Sequence, residues 1–177
     1  MRALVVYESM FGNTRAIAES ICLTLERSAV DATLTTAAVA PHSTAGFDLL
    51  VVGAPTHAHS LPRPSSRLEA AKWAADPART LTLEHADVDH GVREWLDELA
   101  FSDRTHLFAA FSTRADIMRA LAGDAAVAIK RRLKGHSANH VEMECFIVDS
   151  KNRLVEGERD RAEDWGLSLA GAAAVAA

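Results

Sequence analysis

Two stretches of this chain, residues 3–7 (ALVVY) and 48–53 (DLLVVG), are almost unbroken runs of leucine and valine, and they limit the possible folds more than any other feature. A strand with one wet face alternates apolar and polar residues. A run without alternation reads as a strand buried on both faces, as in the interior of a parallel sheet. Residues 106–111 (HLFAAF) form a third such run. Two further segments do alternate. In residues 31–36, Ala32 and Leu34 oppose Thr33 and Thr35; in residues 141–145, Val141, Met143 and Cys145 oppose Glu142 and Glu144. These two predict edge strands.

Helical periodicity fills the gaps between the strands. Ile17, Ile21 and Leu25 form one stripe with Ala18 and Cys22 beside it, and Val92, Trp95, Leu96 and Leu99 form another. Residues 65–75, 124–135 and 156 to about 172 are further helices, with Gly135 placed as a C-terminal stop. Residues 76–90, with Pro77 and weak periodicity, read as a loop or insertion. Strands and helices therefore alternate as in a doubly wound α/β sheet. With the alternating strands at the edges, the five parallel strands take the order 2-1-3-4-5, helices on both faces. The switch point then lies between strands one and three, and ligand-binding loops follow strands one, three and four.

At 177 residues the chain predicts one domain, 1–177, with a real core. A net charge of −5 and the absence of a dense basic run argue against nucleic-acid binding. The tightest basic cluster, Lys130, Arg131, Arg132 and Lys134, falls where a last helical turn is expected and complements the helix dipole. Cys22 and Cys145 sit in apolar stretches without ligand spacing and read as core thiols of a reducing compartment. Glu8 interrupts the first apolar run before it reaches signal-peptide length, and the final LSLAGAAAVAA is far shorter than the roughly 20 residues of a membrane span. A cytoplasmic location is the expectation. Abundant alanine and an excess of arginine over lysine point to a GC-rich bacterial genome.

The loop after the first strand, SMFGNT, carries one glycine, short polar side chains and no lysine or arginine. A phosphate there would meet the Ser9 and Thr14 hydroxyls, the Asn13 amide and the free N–H groups of a helix start. The lysine of a mononucleotide P-loop is missing, and Gly12 stands alone where a dinucleotide fingerprint needs three glycines. Spacing alone equally allows an ordinary strand-to-helix turn with Asn13 as N-cap.

YESMFGNT resembles the phosphate-binding signature of the flavodoxin-like family, Ser/Thr-x-x-Gly-x-Thr, and the later loops extend the resemblance over nearly the whole chain. It implies FMN held non-covalently, with Ser9, Met10, Phe11, Gly12, Asn13 and Thr14 at its phosphate. It also implies that Pro55, Thr56, His57 and Ala58 wall one side of the flavin, with His57 against the ring. Phe111, Ser112, Thr113 and Arg114, in the loop after the fourth strand, would hold the other side, although Phe111 reads more readily as core. Histidine in place of the family's frequent tryptophan departs from an ordinary electron carrier. The spacing of His57 and His59, two apart with no third ligand in the loop, does not suggest a metal site.

The resemblance further implies electron transfer to a redox partner protein or a small-molecule acceptor. The alternatives are an FMN-dependent oxidoreductase acting on a quinone, porphyrinogen or similar molecule, and a flavin-free interaction module of the same fold. His57, His59, Arg63 and Arg114 outweigh Asp116 in the expected loops, a balance that favours the reduced flavin anion.

Overall fold

The computed structural model describes residues 1–84, 88–103, 105–117, 123–134 and 141–175. Five strands, β1 (Arg2–Tyr7), β2 (Asp31–Thr36), β3 (Leu49–Pro55), β4 (Leu107–Ala115) and β5 (Glu142–Val148), form one sheet in the order β2-β1-β3-β4-β5. Every neighbouring pair is parallel. The helices are α1 (Asn13–Arg27), α2 (Pro64–Ala75), α3 (Val92–Glu98), α4 (Ala125–Lys134) and α5 (Glu158–Val175). Order, parallel pairing and alternating edges are those expected from the sequence. The expected stop at Gly135 lies outside the described residues.

Alternate residues of the central strands feed two cores, because successive side chains of a strand point to opposite faces. Leu4, Val6, Leu50, Val52 and Ala110 pack with Trp95 and Leu96 of α3 and with Ile129 and Leu133 of α4. Ala3, Val5, Leu49, Val51 and Ala109 pack on the other face with Ile17, Ile21 and Leu25 of α1 and with Ala162 and Leu169 of α5. That double burial is the physical content of the unbroken LVV runs, each large side chain contributing about 1.5–3 kcal/mol. The basic last turn of α4 is as expected, with Arg132 bonded to Asp97 at 3.0 Å.

β4 is longer than expected. Ser112, Thr113 and Arg114 belong to the strand and not to a loop after it, since the ladder to β3 runs to Pro55↔Thr113 and the ladder to β5 to Ala115↔Val148. Hydrophobic patterning misses these residues because they are polar, yet Ser112 is fully buried and Thr113 nearly so. Their hydroxyls find buried partners: Ser112 Oγ bonds Asp124 Oδ1 at 2.7 Å, and Thr113 Oγ1 meets Thr14 Oγ1 at 2.8 Å. Among the described residues no helix is long and apolar enough to cross a membrane.

Candidate functional site

The loops at the C-terminal ends of β1, β3, β4 and β5 surround one open cavity of about 680 Å³. Its first wall is the loop between β1 and α1. Gly12 caps α1 with φ 93°, a conformation that glycine reaches without strain, and a Cβ there would approach the Glu84 carboxylate at 3.3 Å. The Gly12 N–H donates to Ser9 Oγ at 3.0 Å, which leaves the Ser9 hydroxyl proton for another acceptor. The first N–H groups of α1 have no intrahelical partners. Asn13 is the first helical residue, and its amide donates to Asn152 O and Oδ1 at 3.0 and 3.2 Å. This bond ties the loop after β5 to the start of α1. Lys151 is thereby brought to the cavity wall.

The second wall is a tight turn after β3. His57 and Ser60 exchange backbone bonds of 2.9 and 3.1 Å, while Ala58 (φ 46°) and His59 (φ 68°) take left-handed conformations between them. Two consecutive left-handed residues make a primed turn, which reverses the chain in the smallest space. Thr56 Oγ1 accepts the Ala125 N–H at 3.0 Å and so fixes the start of α4. The His57 ring lies 5.5 Å from that of Trp73 in α2, and Arg79 stands over the same indole at 5.0 Å. Both His57 ring nitrogens are buried without a hydrogen-bond partner among the described residues. Burial pushes its pKa below the ordinary 6.5, so the imidazole is neutral at pH 7.

Of the residues singled out from the sequence, Ser9, Met10, Phe11, Asn13, Thr14, Pro55, Thr56, His57, Ala58, Thr113 and Arg114 line this cavity. Gly12 stands behind it. Phe111 and Ser112 do not reach it: Phe111 packs edge-on against Phe146 and Trp165, its ring filling the space that a side chain on Gly53 would need. Ser112 points to Asp124. Arg114 donates to the carbonyls of Ala115 and Ile117 at 3.1 and 2.7 Å, and its Nε is buried without a partner among the described residues.

Sequence reasoning missed Trp73, the strip from Ala78 to Leu81, and the turn from Asp149 to Asn152, all of which line the cavity. The only advance signal was the aperiodic 76–90 segment, whose Glu84 N–H donates to Met10 O at 2.9 Å and whose carboxylate pairs with Arg15 at 2.6 Å.

Behind the first wall, Glu8 and Glu94 hold Arg67 at 2.8 and 2.7 Å, and Glu8 also accepts the Val92 N–H at 2.9 Å. Glu8 immediately precedes Ser9, so this saturated ion cluster anchors the loop to α2 and α3. Cys22 is buried in the core, its thiol pushed up to about 11 by desolvation and is therefore inert.

No family model and no curated protein matches the sequence. Solved structures do match over almost the full length. A flavodoxin from the domain Archaea superimposes with a TM-score of 0.59 at 16% identity, covering 98% of this chain and 99% of the other. Oxidised flavodoxin 1 from Bacillus cereus gives 0.62 at 14% identity, covering 97% and 98%. A flavodoxin, WrbA-like protein from Agrobacterium tumefaciens gives 0.56 at 17% identity, covering 97% and 96%. The chain has the flavodoxin-like fold.

Proposed function

We propose that this protein binds FMN without a covalent bond in the cavity at the ends of β1, β3 and β4 and uses it to transfer electrons to a partner. The observation that carries this reading is convergence: three segments far apart in sequence, the loops after β1 and β3 and the end of β4, line one cavity of a size suited to a cofactor. Three features of the cavity suit FMN. The free N–H groups of α1 and the Ser9 hydroxyl proton are donors for a phosphate. Gly12 lacks the Cβ that would crowd the loop. The His57 nitrogens, buried and unpartnered, are polar atoms awaiting a ligand group.

When bound, flavin supplies the redox chemistry. The chain supplies grip and electrostatics. Ser9 and Thr14 donate to the phosphate, while Asn13, whose amide is committed to Asn152, contributes its backbone N–H and holds the far loop in place. His57 offers a neutral imidazole, which can donate from one nitrogen and accept at the other without adding charge. Arg114 brings positive charge to the rim at the end of β4, and this field favours an anionic reduced ring.

Denaturing the purified protein should release a chromophore with the absorbance and mass of a flavin. A colourless protein that also fails to take up added flavin would contradict the reading. Electron flow that requires an added reductase supports a carrier, whereas unaided oxidation of a nicotinamide supports an enzyme.

A further inference from the structure

Beside the main cavity lies a second one of about 350 Å³, and its position and chemistry bear on which flavin the site prefers. The two share Phe11, Thr80, Leu81, Lys151 and Asn152 as walls, and the smaller adds Thr82 and Arg153. None of its walls comes from the His57 turn or the end of β4. It therefore opens from the end of the main cavity where α1 begins, the end assigned to the phosphate, and away from the end assigned to the ring.

Its chemistry is that of an anion subsite. Lys151 has no ion-pair partner among the described residues. Arg153 spends Nε and Nη2 on Asp149, at 3.2 and 3.0 Å, and keeps further donors. Thr80 and Thr82 also line the space, and among the described residues no carboxylate does. Glu84, beside Gly12, is paired with Arg15 at 2.6 Å, a guanidinium that also holds Glu19 at 2.9 Å.

The turn that carries the cations is built in advance. Asp149 Oδ1 accepts the N–H groups of Lys151 and Arg153 at 2.8 and 2.9 Å, Asn152 adopts φ 58°, and the Asn13 amide clamps it. A preorganised cationic turn costs little ordering on binding.

We propose that this groove receives a second phosphoryl group joined to the first, so that the site holds flavin adenine dinucleotide more tightly than FMN. The inference rests on the flavin reading above. FMN fills only the first cavity; the dinucleotide places its added phosphate between Lys151, Arg153 and the two threonine hydroxyls, where charge-assisted hydrogen bonds are strongest.

Calorimetric titration of the apoprotein with riboflavin, FMN and flavin adenine dinucleotide tests this. The dinucleotide should bind about tenfold more tightly than FMN, a difference on the order of one or two charge-assisted bonds after the cost of ordering. Thr82 is exposed and lines only the groove, so Thr82→Trp should fill it, abolish that advantage and leave FMN affinity within about twofold. Dinucleotide binding no tighter than FMN overturns the proposal, as does an advantage that survives Thr82→Trp. Failure of the flavin reading itself looks different: none of the three ligands would bind.

Discussion

Arg67 and His57 are both withdrawn from solvent near the C-terminal ends of the central strands, and the fold treats them oppositely. Arg67 is 6% exposed and fully engaged, gripping Glu8 and Glu94 while its Nη1 donates to Val88 O at 3.1 Å. His57 has two buried ring nitrogens and no bond to either among the described residues. A buried polar group left without a partner costs about 1–3 kcal/mol, so a fold keeps one only where something else uses it. The contrast separates a group that builds the site from a group that waits for what the site holds.

The largest expected effect is on the building side. Arg67→Met would leave Glu8 and Glu94 facing each other without a cation and should lower unfolding stability by about 3–5 kcal/mol in a urea titration. A loss below about 1 kcal/mol would show the cluster to be replaceable and dissolve the contrast.

Thr14 stands between the two cases, buried and paired with Thr113 yet facing the cavity. Thr14→Val should weaken FMN binding about tenfold while the domain stays folded, since it removes one phosphate donor. Unchanged affinity would remove Thr14 from the site.

The smallest effect on stability belongs to His57. Replacing an unpartnered imidazole by an apolar ring of similar shape removes a desolvation cost, so His57→Phe should raise stability by about 1 kcal/mol while flavin affinity falls. Its pH signature has a definite sign. Burial lowers the folded pKa below 6.5, so below pH 6.5 the unfolded chain binds protons that the folded chain does not. Its titration therefore takes nothing from stability above that pH and reduces it as the pH falls toward the folded pKa. Denaturation curves between pH 7 and 5 should be less steep in pH for His57→Phe than for the parent. An identical slope would mean that the imidazole is already satisfied.

The sheet and the first wall were legible because their signals are local. An unbroken LVV run reports burial on two faces, and SMFGNT carries glycine, hydroxyls and a helix start within six residues. The end of β4 was not legible, because Ser112 and Thr113 are held in the strand by Asp124 and Thr14, partners that no periodicity reveals. Nor was the cover. Trp73 reads as one more helical apolar residue until His57 is seen against it, and Lys151 reads as a solvated loop charge until the Asn13–Asn152 clamp places it beside α1. Residues 9–14 themselves carry no lysine or arginine. In the folded chain a lysine from the other end of the sequence reaches the same cavity.

All of this depends on a phosphate gripped chiefly by hydroxyls and helix N–H groups beside Gly12. The most direct check is to compare FMN with riboflavin in the same calorimeter, since the two differ only in that phosphate. FMN should bind one to one and about a hundredfold more tightly, the contribution of roughly two charge-assisted hydrogen bonds net of desolvation. Equal affinities for the two would contradict the account, whatever the ring contacts prove to be.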